Sequence, residues 1–291
     1  MADDVNQQTA AVHAWLAEHR GEIVVIKFGG NAMVDKDLET AFAADIHSLH
    51  AAGVLPVVVH GGGPQISKEL ERRGIHSEFR GGLRVTSPEA MLVVREVLAG
   101  QVGPGLAALL GEQKSPARAI SGETDGLFVG SRRGTVVAGE EVDLGLVGEV
   151  TSVDPSVVRA ILDAGEVPVV SSIAPDGAVP GQSLNVNADS AAAALAVALG
   201  AQKLVILTDV PGLYRDWPNR DSLITTIDSR ELAELLPTLE SGMIPKMAAC
   251  LEAVDGGVAS AVIIDGRKPH SLLTEAFGSA GTTVLPQEVT A

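Results

Sequence analysis

The sequence contains little cysteine and few aromatic residues. Among its 291 residues there is one cysteine, Cys250, and aromatic residues make up 3%. A single cysteine excludes an internal disulfide and any zinc site that needs several thiolates, so we expect a reducing compartment. Because 46% of the chain is nevertheless hydrophobic, we predict a folded protein with an aliphatic core.

Positive charge is also scarce. The chain has 21 lysine and arginine residues against 37 aspartate and glutamate residues, a net charge of −16. A field of this sign argues against nucleic acid or an anionic membrane as a partner, whereas a local cluster of cations and backbone amides would still admit an anionic substrate. No apolar run reaches about 18 residues and the N-terminus lacks the basic start of a signal peptide, so we expect a soluble, cytoplasmic protein.

Buried strands alternate with helices along the chain. Ile23–Phe28, Leu55–His60 and residues 204–208 are continuous apolar runs, typical of parallel strands covered on both faces. Helical patterns separate them, among them residues 37–52 and the alanine-rich residues 188–199. The alternation predicts an α/β protein, a three-layer αβα sandwich with an open, mostly parallel central sheet.

Two further features concern the organisation of the chain. A short amphipathic helix is expected over residues 9–20, and a β-hairpin over residues 127–137 with its turn at Arg133 and Gly134. We expect three parts, with one continuous sheet shared by the two lobes: an N-terminal helix (1–21), an N-terminal lobe (22–175) and a C-terminal lobe (176–291).

Glycine-rich segments follow the first two strands, where ligands of open α/β sheets bind. Residues 27–31 read Lys-Phe-Gly-Gly-Asn, and residues 60–64 read His-Gly-Gly-Gly-Pro before a helix. Glycines allow backbone N–H groups to approach phosphate closely, particularly at a helix N-terminus. Ile66 breaks the dinucleotide fingerprint and no Walker A loop is present. Plain glycine turns remain the alternative for each segment alone.

Polar groups cluster at two more strand ends. Residues 185–189 read Asn-Val-Asn-Ala-Asp, and the period-two spacing directs Asn185 and Asn187 to the same side. A helix N-cap explains one of these polar groups but not all three. Residues 207–213 place Thr208 and Asp209 before a Pro-Gly turn, where a nucleotide base or ribose would fit, although a plain turn explains this segment almost equally well.

Other chemistries lack their residues. The seven histidines make no metal-ligand spacing, and no Gly-x-Ser-x-Gly elbow supports a hydrolase triad. Arg84 and Lys246, each a surface cation by itself, gain interest only in combination with the strand-end segments.

Together these segments resemble the amino acid kinase family. The resemblance extends over residues 23–285, nearly the whole chain, and its two glycine motifs are shared across the wider family. Residues 82–86 (Gly-Leu-Arg-Val-Thr) and 185–189 are more specific to members that phosphorylate N-acetyl-L-glutamate. The remaining segments that carry the resemblance are residues 27–33, 60–66, 120–123, 207–213 and 242–246.

The resemblance implies the amino acid kinase fold and a phosphoryl transfer in arginine biosynthesis. ATP would phosphorylate the side-chain carboxylate of N-acetyl-L-glutamate to give N-acetyl-L-glutamyl 5-phosphate, with Mg²⁺ bridging the ATP phosphates. An ionised carboxylate needs no base, so catalysis would consist of positioning and charge stabilisation. The implied catalytic residues are Lys27, Lys246 and Asp189; the implied substrate-binding residues are Gly62, Gly63, Arg84, Asn185 and Asn187; the implied ATP-binding residues are Gly29, Gly30, Thr208, Asp209, Gly212 and Leu213.

The resemblance is to the arginine-sensitive members, which carry an extra N-terminal helix. It implies feedback inhibition by L-arginine and a homo-oligomer, either a dimer or a hexamer built as a trimer of dimers. The implied arginine-site residues are Trp15, His270, Glu275 and Gly281. This chain departs from the usual Gly-x-Gly-Thr segment near its end, since it has only Gly281 before two threonines.

Two alternatives stay open at this point. One is another amino acid kinase, of the glutamate 5-kinase or carbamate kinase type, against which Arg84 and Asn185 argue. The other is an arginine sensor without catalysis, against which the pair of lysines with Asp189 argues.

Overall fold

The computed structural model describes residues 12, 14–137, 140–274 and 281–287. For Asn31 and for residues 135–137, 140 and 141 it describes the backbone only. The α-helices are α1 (residues 14–18), α2 (Lys36–Ala51), α3 (Gly63–Arg72), α4 (Pro88–Val97), α5 (Gly103–Glu112), α6 (Ser156–Asp163), α7 (Ala188–Leu199), α8 (Ser229–Leu235), α9 (Ile244–Asp255) and α10 (Ser271–Thr274). A π-helical turn, Leu98–Val102, joins α4 to α5.

The strands of the described chain fall into one large sheet and several small ones. In chain order they are β1 (Ile23–Phe28), β2 (Leu55–His60), β3 (Phe79–Arg80), β4 (Leu83–Arg84), β5 (Ala117–Ser121), β6 (Phe128–Arg132), β7 (Thr135–Val137), β8 (Glu140–Val142), β9 (Val147–Val153), β10 (Val167–Ser171), β11 (Ile173–Pro175), β12 (Ser183–Val186), β13 (Lys203–Thr208), β14 (Leu213–Tyr214), β15 (Leu223–Ile224), β16 (Thr226–Asp228), β17 (Ser260–Asp265) and β18 (Thr282–Leu285).

The large sheet has eight strands in the order β16-β18-β17-β13-β1-β2-β10-β5. Its strands from β5 to β17 run parallel, and β18 pairs antiparallel with β17. A second, four-stranded sheet has the order β11-β12-β9-β6. The parallel order places the carboxyl ends of β1, β2 and β13 side by side at one edge.

Helices cover both faces of the large sheet. On one face, Val25 and Ile206 pack with residues of α7 and α9 in a single buried cluster. On the other face, Ile26 packs with residues of α1, α2 and α5. Successive residues of a strand point to opposite faces, so a strand covered on both sides is apolar at every position. The three-layer αβα architecture is therefore confirmed. Of the helix predicted over residues 9–20, residues 14–18 are helical, and residues 9–11 and 13 lie outside the described residues.

The helices begin where side chains satisfy their free amides. Asp35 accepts hydrogen bonds from Asp37 N and Leu38 N at the start of α2. Asn187 accepts from Asp189 N and Ser190 N at the start of α7, and Gly200 ends that helix in the left-handed region at φ 62°. Both caps follow the usual preferences of helix ends.

One helical run in the described chain, Pro88–Glu112, is long and apolar enough to cross a membrane by length and composition alone. It forms from α4, the π-helical turn and α5 without a break. Val94 belongs to the core cluster under the second sheet, and Leu106 and Leu110 belong to the core of the large sheet. A core helix meets the same two criteria, so the run is weak evidence for a membrane span.

The hairpin predicted over residues 127–137 is wrong. The segments on either side of Arg133 and Gly134 do not pair with each other, because β6 pairs antiparallel with β9 and β7 pairs with β8. The alternating pattern is correctly assigned to strands, but the partner of β6 lies beyond β8 in the chain. The short strand β16 at the edge of the large sheet and its neighbour β18 are not predicted from the sequence.

Candidate active site

Four of the sequence-predicted segments meet at the carboxyl edge of the large sheet. A Cβ placed on Gly61 would lie 3.4 Å from Ala188 Cβ, so the loop after β2 touches the start of α7. A Cβ on Gly30 would lie 3.4 Å from the carboxylate oxygens of Asp209, so the loop after β1 touches the loop after β13. The chain thus brings together segments that are far apart in sequence.

Asp189 lies between two lysines at the centre of this edge. Lys27 Nζ at the end of β1 is 2.9 Å from Asp189 Oδ1, and Lys246 Nζ is 3.8 Å from Asp189 Oδ2. Lys27 is 9% exposed and Asp189 is 3% exposed. Lys246, in the first turn of α9, also donates to Gly242 O over 3.3 Å. Two ammonium groups and one carboxylate leave one net positive charge in a protein of charge −16.

The first glycine loop is shaped around Lys27. A Cβ on Gly29 would lie 3.0 Å from Lys27 Nζ, so the lysine side chain folds back over the loop. Gly30 adopts φ +72° beside Asp209, a backbone conformation that residues with a Cβ rarely adopt. The loop therefore places a cation and backbone amides at the same point.

A cavity of about 180 Å³ opens where the loop after β2 meets the start of α7. All five sequence-predicted substrate residues line it, namely Gly62, Gly63, Arg84, Asn185 and Asn187. Its wall also includes Phe79 and Ser172, which the sequence analysis does not single out. Glycine amides, a guanidinium and two amide side chains are donors, so the cavity suits a small anion or an amide.

Arg84 is held in this cavity by neutral acceptors. Its guanidinium donates to Ser67 Oγ over 2.8 Å, to Gly63 O over 3.1 Å and to Ser77 Oγ, and it lies 4.5 Å from the centroid of the Phe79 ring. Burial lowers the pKa of Arg84, but a guanidinium keeps its charge in proteins. A buried cation without a carboxylate partner among these contacts is arranged to receive an anion.

The two asparagines have different tasks. Asn185 Nδ2 donates to Thr86 Oγ1 over 3.1 Å, and Thr86 Oγ1 donates in turn to Arg84 O over 2.9 Å, so Asn185 and Arg84 are linked. Asn187 Oδ1 accepts from Asp189 N over 2.8 Å as the N-cap of α7. The oxygen of Asn187 therefore fixes the helix turn that carries Asp189.

A larger cavity of about 320 Å³ lies beyond Asp209. It is lined by the turn after β13, including Gly212 and Leu213, and by the loop that precedes α9, including Met243. Tyr214 and Trp217 form an aromatic pair in its wall, with ring centroids 5.2 Å apart, and Trp217 is 50% exposed. A cavity with two aromatic side chains in its wall suits a heterocyclic base.

The turn at this cavity is fixed from the C-terminal strand. Leu213 N donates to Thr282 Oγ1 over 2.8 Å, and a Cβ on Gly212 would lie 2.7 Å from the same oxygen. Thr208 is buried at the end of β13 and its carbonyl accepts from Gly266 N over 2.8 Å. The sequence-predicted nucleotide segment is thus held by strands on both sides.

The residues predicted for an arginine site lie elsewhere, on the face of the sheet that α2 covers. His270 Nδ1 is 2.7 Å from Asp45 Oδ1, and both line a small cavity against Phe42. Trp15 packs on the same core cluster as Leu272, and Lys203 Nζ lies 5.5 Å from its ring centroid. A Cβ on Gly281 would lie 2.4 Å from Ile263 O, so only glycine fits there. Glu275 lies outside the described residues.

Residues that could hold a metal ion by themselves do not cluster in the described part of the chain. No group of three or more histidine, cysteine, aspartate or glutamate side chains there has a suitable arrangement.

Comparison with known proteins agrees with this architecture. The sequence pattern of the amino acid kinase family matches residues 22–265. An acetylglutamate kinase of Leifsonia xyli is 64% identical, covering 94% of this chain and 91% of the relative. An acetylglutamate kinase of Clavibacter michiganensis is 65% identical over 275 residues, again 94% and 91%.

A solved structure extends the comparison to three dimensions. The N-acetylglutamate synthase of Neisseria gonorrhoeae, complexed with coenzyme A and N-acetyl-glutamate, has a TM-score of 0.81 at 26% identity. The match covers 97% of this chain but only 64% of the synthase. The match of the family pattern, together with the two acetylglutamate kinases, shows that the chain belongs to the amino acid kinase family.

Proposed function

We propose that this chain transfers the γ-phosphoryl group of ATP to the side-chain carboxylate of N-acetyl-L-glutamate. The observation that carries the proposal is Asp189 between Lys27 and Lys246, 2.9 Å and 3.8 Å away, next to the cavity of Arg84 and Asn185. The relatives named acetylglutamate kinase support the substrate. The product would be N-acetyl-L-glutamyl 5-phosphate, in arginine biosynthesis.

The reaction joins two anions, and the lysines offset their repulsion. A carboxylate oxygen of the substrate attacks the γ-phosphorus, the bond to the β,γ-bridging oxygen breaks, and ADP leaves. Lys27 and Lys246 stabilise the charge on the transferring group, and Asp189 holds both ammonium groups in position. Preorganised charges of this kind are the main source of catalysis where no proton must be removed.

The substrate would lie in the 180 Å³ cavity. Arg84 would bind the α-carboxylate, since its guanidinium has only neutral acceptors in the contacts above. Asn185 would bind beside it, and the amides of Gly62 and Gly63 would face the reacting carboxylate. The acylated nitrogen of the substrate is neutral. A free amino acid would instead place an ammonium group next to the Arg84 guanidinium, where the two positive charges would repel each other.

ATP would enter from the 320 Å³ cavity, with its phosphates directed to Gly29, Gly30 and the lysines. Thr208, Asp209, Gly212 and Leu213 would contact the base and ribose. Magnesium would enter with the nucleotide and offset part of the negative charge of its phosphates.

Regulation and organisation complete the proposal. L-arginine would inhibit the enzyme by binding near Trp15, His270, Glu275 and Gly281, and the N-terminal helix (1–21) would join dimers into a hexamer. Residues 22–175 would bind the acyl amino acid and residues 176–291 would bind ATP. We propose a soluble enzyme of the cytoplasm, where ATP is supplied and the buried thiol of Cys250 stays reduced.

The test is a hydroxylamine trap for acyl phosphate, with MgATP and N-acetyl-L-glutamate, in the presence and absence of L-arginine. We expect hydroxamate to form and to be suppressed by arginine. Hydroxamate that is insensitive to millimolar arginine would retain the kinase and overturn the regulatory proposal. No hydroxamate from folded protein would overturn the kinase proposal and favour a non-catalytic arginine sensor.

A further inference from the structure

His60 is the last residue of β2 and is completely buried, with 0% of its surface exposed. Its Nδ1 lies 2.9 Å from the carbonyl oxygen of Gly61. A carbonyl oxygen only accepts hydrogen bonds, so Nδ1 must carry the proton. Nε2 is then the bare nitrogen of a neutral ring.

The second ring nitrogen of His60 gains nothing from the fold. Nε2 is buried and has no hydrogen-bond partner within the described residues. Such an orphaned polar atom costs about 1–3 kcal/mol, which an apolar side chain of similar size would avoid. Burial lowers the pKa of His60 to about 4, so protonation does not explain the imidazole at neutral pH. Among the described residues, the imidazole therefore makes its hydrogen bond through Nδ1.

The neighbouring helix leaves room for this ring. A Cβ on Gly103, the first residue of α5, would lie 3.1 Å from His60 Nε2. The π-helical turn Leu98–Val102 precedes Gly103, and Leu98 Cδ2 would lie 2.6 Å from a Cβ on Gly62. Such turns are rare and often occur at functional sites. The start of α5 therefore lies against the imidazole, and the turn before it lies against the glycine loop.

The hydrogen bond of His60 determines the orientation of one peptide group. In a trans peptide the C=O and the following N–H point in opposite directions. When His60 holds the carbonyl of Gly61, the N–H of Gly62 points away from His60. Gly62 is the N-cap residue of α3 and lines the 180 Å³ cavity. Amides at a helix start have no intrahelical acceptor and bind anions readily.

We propose that His60 is a positioning residue whose Nδ1–H holds the Gly61 carbonyl, so that the Gly62 N–H faces the reacting anion in the cavity. The proposal rests on the proposed function, which supplies that anion as the substrate carboxylate or the transferring phosphoryl group. His60 itself touches neither substrate. On the other side of the loop, Gly61 N donates to Phe28 O over 3.4 Å and connects it to the Lys27 strand.

Amide isosteres separate the donor from the bulk of the ring. In His60→Asn the side-chain amide replaces the Nδ1 edge, in His60→Gln it replaces the Nε2 edge, and His60→Leu keeps volume without a donor. We expect the kcat of His60→Asn to stay within about threefold of the wild-type value. The kcat of His60→Gln and of His60→Leu should fall at least about tenfold, and the loss of one preorganised donor sets the upper limit at ~10²–10³. KM should change less than kcat in each variant.

Thermal unfolding provides the control for a merely structural role. Leucine fills the buried site better than asparagine, so His60→Leu should be at least as stable as His60→Asn. The proposal thus predicts that activity and stability rank these two variants in opposite order. Activity that follows stability, or equal kcat in all three variants, would overturn it.

Crystal structures of the His60→Asn and His60→Leu variants test the geometry without any assay. We expect the Gly61 carbonyl to stay held in His60→Asn and the Gly61–Gly62 peptide to rotate in His60→Leu. An unchanged peptide in both variants would overturn the proposal. If the wild-type chain makes no acyl phosphate, the proposed function fails, and these structures still decide the role of His60.

Discussion

Lys27 Nζ lies 2.9 Å from Asp189 Oδ1, while Lys246 Nζ lies 3.8 Å from the other oxygen of the same carboxylate. The Lys27 side chain is 11% exposed and that of Lys246 is 23% exposed. Asp189 therefore makes a close, buried pair with one lysine and a looser pair with the other. Removing Lys27 would leave Asp189 with only the distant cation, which would be costly for folding as well as for catalysis.

Lys246 is for this reason the better lysine to replace. We expect Lys246→Met to lower kcat by roughly 10²–10³, the usual loss when one preorganised charge is removed from the reacting group. The melting temperature should change little, because Lys27 still neutralises Asp189. Lys36→Met is the matched control, since the Lys36 side chain is 90% exposed on α2. A Lys246→Met enzyme with wild-type kcat would contradict the assignment.

Arg84 should determine affinity for the acyl amino acid. In Arg84→Lys one ammonium replaces a planar group that contacts Ser67, Ser77 and Gly63 at once. We expect KM for N-acetyl-L-glutamate to rise at least about tenfold, while KM for ATP stays near the wild-type value. Steady-state kinetics with each substrate varied in turn measures both. The control is Arg80→Lys, on the exposed strand β3; equal rises in the two KM values would argue against this role.

Trp217 should report nucleotide binding and contribute to it. Its half-exposed indole and the Tyr214 ring stand in the wall of the 320 Å³ cavity. Aromatic contacts of this type contribute about 0.5–1.5 kcal/mol, so Trp217→Ala should raise KM for ATP roughly two- to tenfold. In a Trp15→Phe variant Trp217 is the only tryptophan, and ATP should change its fluorescence. No change at saturating ATP would place the base outside this cavity.

His270 should affect arginine inhibition and leave the uninhibited rate unchanged. Its Nδ1 contacts Asp45 Oδ1 over 2.7 Å, which connects the segment before α10 to α2. We expect His270→Ala to raise the arginine concentration for half-inhibition at least about tenfold. A change of this size corresponds to the loss of one hydrogen bond to a charged group. Arg230→Ala, on the exposed side of α8, is the control. An unchanged inhibition curve would exclude His270 from the regulatory site.

The buried His60 should make stability depend on pH in a defined window. Its pKa is lowered from 6.5 to about 4, so between these values the unfolded chain binds more protons than the folded one. The free energy of unfolding should therefore decrease as the pH falls from 6.5 towards 4, by up to about 1.4 kcal/mol per pH unit. Above pH 6.5 the contribution is constant.

Denaturant unfolding of the wild type and of His60→Asn across this window isolates the effect of His60. The variant lacks the titrating group. The free energy of unfolding of the wild type minus that of the variant should therefore decrease as the pH falls from 6.5 towards 4. Parallel curves would mean that His60 is not held neutral by burial.

Much of the fold is predictable from local patterns. Strands β1 and β2 have the predicted bounds, because an unbroken apolar run ended by glycine is a strong sign of a buried parallel strand. The pairing of β6 with β9 is not predictable in this way. Strand partners depend on contacts distant in sequence, and the turn residues at Arg133 and Gly134 suggested a nearer one.

The residues of the site also fall into those that the sequence predicts and those that only the folded chain reveals. Lys27, Asp189 and the glycine loops occur in compact motifs at strand ends, so the sequence singles them out. Tyr214 ends the two-residue strand β14 and Trp217 lies in the loop after it. This segment has no periodicity in the sequence, and only the folded chain shows that the two rings form a cavity wall. The constraint on His60 comes from Gly103, which is distant in sequence and has no motif of its own.

The central claim is that an acylated amino acid is the phosphoryl acceptor. The most direct measurement is kcat/KM of the wild-type enzyme, with saturating MgATP, for N-acetyl-L-glutamate, L-glutamate and carbamate. The described lining of the substrate cavity includes Arg84 but no carboxylate that could bind an ammonium group. We therefore expect kcat/KM for N-acetyl-L-glutamate to exceed that for either other acceptor by at least about 10². Equal or faster phosphorylation of L-glutamate or carbamate would contradict the account.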